Sequence, residues 1–61
     1  MPLIQVSMFE GRTIEQKREL VEALTEAIVR IAKTTPEATE VIITDVPRHH
    51  WAHAGKLASD S

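Results

Sequence analysis

The chain has 61 residues, 43% of them hydrophobic, and contains no cysteine. This length predicts one domain rather than two, and the hydrophobic content argues against a disordered segment. A chain of this size buries only about 60% of its unfolded surface on folding. No disulfide is available to supplement such a small core, so we expect the chain to associate with copies of itself.

The charge and the apolar pattern exclude further classes of protein. Seven Lys and Arg residues against nine Asp and Glu residues give a net charge of −2, whereas nucleic-acid-binding domains usually carry a basic face. The longest uninterrupted apolar runs have three residues, and a membrane-spanning helix needs about 20. The amino terminus lacks a basic region followed by an apolar stretch, so we expect no secretory signal. We therefore predict a cytoplasmic protein that binds neither nucleic acid nor membrane.

A strand and a helix are predicted in the first half of the chain. Alternating side chains predict a strand over residues 3–9, with Ile4, Val6 and Met8 on its drier face. Thr13-Ile14-Glu15-Gln16 matches a capping box, which marks the start of a helix. An apolar stripe follows at steps of three and four residues, formed by Leu20, Val21, Leu24, Ala27, Ile28 and Ile31. Pro36 disfavours helical geometry in the residue before it, so the helix should end near Lys33.

The second half predicts another strand and a small hairpin. Residues 40–46 contain an apolar run that suits a strand covered on both faces. Strand, helix and strand in this order predict a right-handed crossover with two parallel strands. Residues 47–50 should form a turn or a single helical turn, and residues 51–58 a hairpin around Gly55 that pairs with a neighbouring subunit. One helix covers only one face of the sheet, so a second copy of the chain is expected to cover the other.

Pro2 is the first candidate for chemistry. A proline at the start of a strand is structurally tolerated, which is one interpretation of the position. The other interpretation depends on the removal of Met1, because an initiator methionine is normally removed when proline follows it. Pro2 would then be the amino terminus, with a secondary amine that titrates near neutral pH. An apolar pocket and a nearby cation would lower the pKa of that amine and make it a general base at pH 7.

Arg12 is the second candidate, at the turn between the first strand and the helix. A lone surface arginine is most often simply solvated. The alternative is that its planar guanidinium binds a carboxylate or an enolate oxygen through two parallel hydrogen bonds.

Several short segments, taken together, indicate one family. They are Met-Pro-Leu-Ile-Gln-Val (1–6), Glu-Gly-Arg-Thr (10–13), Glu-Gln-Lys (15–17), His-Trp-Ala (50–52) and Ala-Gly-Lys-Leu-Ala (54–58). Through these segments the whole chain resembles the 4-oxalocrotonate tautomerase family, the small-subunit branch of the tautomerase superfamily. The resemblance implies an α/β (α+β) fold over residues 1–61: a single β-α-β domain with two parallel strands, one long helix and a short C-terminal hairpin. It also implies assembly as a hexamer, a trimer of dimers.

The resemblance also implies an activity and the residues that perform it. The activity would be a cofactor-free isomerisation between the enol and keto forms of unsaturated 2-oxo acids such as 2-hydroxymuconate. Pro2, freed of Met1, would be the general base. Arg12 matches a carboxylate-binding arginine that is often supplied by a neighbouring subunit. Trp51 matches an aromatic position, usually phenylalanine, that keeps the pocket apolar.

The chain departs from the family pattern at Glu40, where the best-known members have a second substrate-binding arginine. An acid at this position would repel a dicarboxylate. Three explanations stay open: Arg48, or else Lys56, replaces the missing cation; the substrate has a single carboxylate; or diacids react weakly and the physiological substrate is a different compound. Glu40 could also be only an exposed charge at a strand edge.

Two further hypotheses compete with a tautomerase. His49 and His53 have the i,i+4 spacing of a zinc-binding pair on a helix. Pro47 and Gly55 bracket the segment and no cysteine accompanies it, so we expect surface histidines and no metal. The other hypothesis is a non-catalytic homo-oligomeric interaction module with the same fold, because a fold by itself does not make an enzyme.

Overall fold

A computed structural model describes residues 2–60 of the chain. Strand β1 covers Leu3–Phe9, helix α1 covers Ile14–Ala32 and strand β2 covers Glu40–Val46. The strands are parallel and paired along their full length, from Leu3 opposite Glu40 to Phe9 opposite Val46. The predicted β-α-β unit is confirmed, with both strands at the predicted bounds.

The helix begins and ends where the sequence predicted. The Thr13 hydroxyl accepts a hydrogen bond from the Gln16 N–H at 3.1 Å, and the Gln16 side chain accepts one from the Thr13 N–H at 2.9 Å. These two bonds form the complete capping box. At the other end Lys33 adopts a left-handed conformation with φ of 58°, a common way to end a helix.

Short elements connect and follow this unit. A 3₁₀ helix at Pro36–Ala38, which the sequence did not lead us to expect, precedes β2. A second one at Arg48–His50 is the single helical turn predicted after β2. Strands β3 at Ala52–His53 and β4 at Lys56–Leu57 form the predicted hairpin, and a last 3₁₀ helix covers Ala58–Asp60. Pairing of the hairpin with another subunit stays a prediction.

The helix covers one face of the sheet. Ile4 of β1 and the helix residues Leu24 and Ile28 line the same apolar crevice. An ion pair between Lys17 and Asp45 also joins the helix to β2. The opposite face lies open, with Leu3 50% and Ile42 49% exposed.

The isolated chain has no buried core. None of residues 2–60 is buried, and the radius of gyration is 14.5 Å, where a compact domain of this length has about 10 Å. The smallest dimension of the chain is 14 Å, which leaves room for one layer of helix on one layer of sheet. No helix in the described part of the chain is long and apolar enough to cross a membrane.

Candidate active site

Pro2 lies at the amino-terminal end of the sheet. It is half-buried and directly precedes β1. Its carbonyl oxygen accepts a hydrogen bond from the backbone N–H of Glu40 at 3.0 Å. The first strand and the crossover therefore fix Pro2 against the first residue of β2.

Arg12 lies at the opposite end of the sheet. It is exposed and stands in the turn that leads from β1 into the helix. Strand β1 has seven residues at about 3.3 Å each, so its two ends lie about 20 Å apart. The Pro2 and Arg12 of one chain are thus too far apart to hold the same small acid.

A small cavity opens beside Arg12. Its volume is about 200 Å³, and its other lining residues are Met8, Gln16, Lys17 and Leu20. Lys17 is paired with Asp45, whereas Arg12 forms no ion pair with any carboxylate among residues 2–60. Its guanidinium is therefore available to an anion that enters this cavity.

Arg48 and Trp51 meet at the same end of the sheet, on the ring of Phe9. The Arg48 guanidinium lies 4.3 Å from the centroid of the Phe9 ring, and the Phe9 and Trp51 centroids are 4.8 Å apart. Trp51 is half-buried and Arg48 is exposed. The aromatic ring holds the cation in place by cation–π attraction, and Arg48 has no carboxylate partner among the described residues.

Phe9 is the residue of this cluster that the sequence analysis missed. The predicted parallel pairing contained the necessary signal. Strand 3–9 beside strand 40–46 puts Phe9 opposite Val46, next to the segment that carries Arg48 and Trp51.

The candidate site residues are thus divided between two ends of the chain. Arg12, Arg48 and Trp51 stand at the carboxyl ends of the strands, and Pro2 stands at the amino ends beside Glu40. One end is suited to binding an acid group, and the other holds the candidate base.

His49 and His50 lie in the second 3₁₀ helix, and His53 lies in β3. No group of three or more His, Cys, Asp or Glu side chains in this range is placed to hold a metal ion. The rings of His49 and His50 instead pack edge to face at 4.3 Å.

Comparison with known sequences gives a match over nearly the whole chain. The family model described as tautomerase enzyme matches residues 2–61. A 2-hydroxymuconate tautomerase of Bacillus subtilis is 47% identical over 60 residues, which cover 98% of this chain and 97% of the relative.

Solved structures match the fold equally well. A homologue of 4-oxalocrotonate tautomerase has a TM-score of 0.95 at 45% identity, with 98% of both chains covered. A heterohexamer 4-oxalocrotonate tautomerase from Chloroflexus aurantiacus has a TM-score of 0.91 at 35% identity, with 98% of this chain and 97% of the other covered. The resemblance drawn from the sequence, and the fold it implied, are confirmed.

Proposed function

The chain belongs to the tautomerase family and is an isomerase, and we propose that it interconverts the enol and keto forms of unsaturated 2-oxo acids such as 2-hydroxymuconate. The observation that carries the substrate class is the 47% identity, over nearly the full length, to a 2-hydroxymuconate tautomerase. Family membership also favours the enzyme over the non-catalytic module. The proposed reaction needs no cofactor, because it only moves one proton and the double bonds of the acid.

Pro2 is the general base in this proposal. Once Met1 is removed, the neutral secondary amine takes the proton of the enol hydroxyl, and a conjugated enolate forms. The resulting ammonium returns a proton to a distant carbon of that enolate, the double bonds shift, and the keto acid is released. Two observations support this role: Pro2 is half-buried at the sheet end, and the family model matches the chain from Pro2 onward.

Arg12, Arg48 and Trp51 bind the substrate in the proposal. Arg12 binds a carboxylate of the substrate in the cavity beside it. This binding positions the substrate, which a general base alone does not do. Trp51 and its neighbour Phe9 form an apolar wall that keeps water from the reacting atoms. Arg48, held on the Phe9 ring, is the second cation and stabilises the negative charge that develops on the enolate.

The proposed site is built from more than one copy of the chain. Pro2 and Arg12 of one chain are separated by the length of β1, so a complete site takes Pro2 from one copy and Arg12 from another. The open sheet face and the missing core provide the driving force for assembly. We propose a homo-oligomer, with a hexamer built as a trimer of dimers as its form, since one solved relative is a heterohexamer.

The test is the ultraviolet decay of 2-hydroxymuconate with protein shown by mass spectrometry to lack Met1. The unaltered, Met1-free chain should accelerate the decay. Pro2→Ala should abolish most of the acceleration, while the mass of the assembly under native conditions stays unchanged. Pro36→Ala, which alters a proline of the connecting segment, should retain turnover. Equal rates for Pro2→Ala and the unaltered chain would eliminate Pro2 as the base, and no acceleration by any of these proteins would eliminate this substrate.

A further inference from the structure

Two contacts with the end of β2 hold the turn that presents Arg12. On the strand side of the turn, the backbone N–H of Glu10 donates to the Val46 carbonyl at 3.1 Å. On the helix side, the Lys17 ammonium forms an ion pair with Asp45. Asp45 and Val46 are consecutive residues of β2, so one short stretch of the second strand fixes the turn from both sides.

The ion pair is connected to Arg12 through the first turn of the helix. The backbone N–H of Lys17 donates to the Thr13 carbonyl at 3.1 Å, and Thr13 directly follows Arg12. Gly11 precedes Arg12 with φ of 120°, a conformation that glycine adopts far more readily than other residues. The Arg12 side chain forms no hydrogen bond or ion pair within residues 2–60. Its position therefore depends on the contacts of the neighbouring residues.

Asp45 also neutralises a second cation beside Arg12. Met8 lines the cavity at Arg12 and is the partner of Asp45 in the strand register, so Asp45 lies at the edge of that cavity. Lys17 lines the same cavity. Without the carboxylate, the like charges of Lys17 and Arg12 would repel each other there. The Lys17 side chain is only 25% exposed and that of Asp45 37%, so water and salt screen the pair incompletely.

We propose that Asp45 is a positioning residue that, through Lys17, holds Arg12 where it binds the carboxylate of the substrate. The inference rests on the proposed function. Asp45 neither touches the substrate nor moves a proton in this proposal. It restricts the conformations of the turn before the substrate arrives, so that less conformational entropy is lost on binding. Its effect is therefore on binding of the acid and not on proton transfer at Pro2.

The experiment measures Asp45→Asn in two backgrounds, with 2-hydroxymuconate and the assembled, Met1-free protein. In the otherwise unaltered chain, Asp45→Asn should lower kcat/KM by about three- to fivefold, as the loss of a partly exposed ion pair permits. The loss should come mainly from a higher KM. Asp45→Glu, which keeps a carboxylate, should retain most of the activity. In the Arg12→Ala background, Asp45→Asn should cause no further loss, because the group that it positions is absent.

Glu19→Gln is the matched control, because it removes an exposed carboxylate of the helix that forms no ion pair within residues 2–60. Its kinetics should equal those of the unaltered chain. A loss of kcat/KM that is the same in both backgrounds would show that Asp45 does not act through Arg12. An unchanged or lower KM in Asp45→Asn likewise overturns the proposal.

The order of the turn gives a second measurement that needs no substrate. Backbone amide relaxation measured by NMR should give lower order parameters for Gly11 and Arg12 in Asp45→Asn than in Glu19→Gln or the unaltered chain. Equal order parameters in all three proteins would overturn the positioning role. The proposed function itself fails separately, if the unaltered chain does not convert 2-hydroxymuconate or if Pro2→Ala converts it equally well.

Discussion

Arg12 is the residue whose proposed role is easiest to separate from a structural one. It is exposed and has no carboxylate partner within residues 2–60, so its removal leaves no buried group unsatisfied. Any effect on catalysis would therefore reflect the loss of a contact with the substrate. The nearby Lys17 differs, because its ion pair with Asp45 links the helix to the sheet.

Arg12→Ala should lower kcat/KM for a 2-oxo acid by about tenfold or more, since a charge-assisted hydrogen bond contributes about 1.5–3 kcal/mol. Arg12→Lys should recover only part of the loss, because an ammonium cannot form the two parallel bonds of a guanidinium. Steady-state kinetics on the ultraviolet signal measures both variants. Arg18→Ala, at an exposed helix arginine, is the control. Unchanged kinetics in Arg12→Ala would show that Arg12 is only solvated.

The stability of helix α1 depends on the hydrogen bonds of its first turn. Both hydrogen bonds of the capping box involve Thr13, and they satisfy backbone groups that the helix itself leaves free. Helix α1 is the only element of the described chain that covers the sheet. Its start therefore contributes to the stability of the whole subunit.

Thr13→Ala should lower the free energy of unfolding by about 1 kcal/mol per chain, the usual cost of losing such a cap. Thr13→Ser keeps the hydroxyl and should stay close to the unaltered chain. Chemical denaturation followed by circular dichroism, at one fixed protein concentration, measures the difference. Equal midpoints for Thr13→Ala and Thr13→Ser would show that the bond accepted by the Thr13 hydroxyl does not contribute to stability.

Local sequence signals were sufficient for most elements. The capping box, Pro36 and Gly55 act on their own neighbours, so the helix ends and the hairpin could be predicted from the residues alone. The 3₁₀ helix at Pro36–Ala38 was not predicted, because Pro36 was considered only as a residue that stops the preceding helix. Proline also starts a new turn, and the Thr35 hydroxyl caps this one by accepting from the Ala38 N–H at 3.3 Å.

Contacts between distant residues were harder to predict. The contact of Arg48 with the ring of Phe9 can be inferred only from the predicted pairing of β1 with β2, because no residue adjacent to Arg48 in the sequence indicates it. The separation of Pro2 from Arg12 likewise follows from the length and direction of β1. Sequence reasoning named Pro2, Arg12, Arg48 and Trp51, and the structure shows that one chain cannot bring Pro2 and Arg12 together. Their roles stay predictions.

The open face of the sheet determines whether the chain is stable by itself or needs other copies. Leu3 and Ile42 are half exposed on that face, and none of residues 2–60 is buried in the single chain. Burying an Ile or Leu side chain fully contributes about 1.5–3 kcal/mol. A few such side chains from each copy would therefore account for much of the stability of a small domain.

Ile42→Glu should disrupt the assembly, because it would place a charge without a partner in the proposed interface between copies. The expected result in native mass spectrometry and sedimentation is a shift from the oligomer to the single chain, together with loss of helix and of turnover. Ile42→Val removes one methylene and should leave the oligomer intact. An Ile42→Glu protein that keeps the oligomeric mass would show that copies do not meet on this face. An unaltered chain that stays a folded monomer would contradict the assembly altogether, and it would leave Pro2 and Arg12 about 20 Å apart at the two ends of β1.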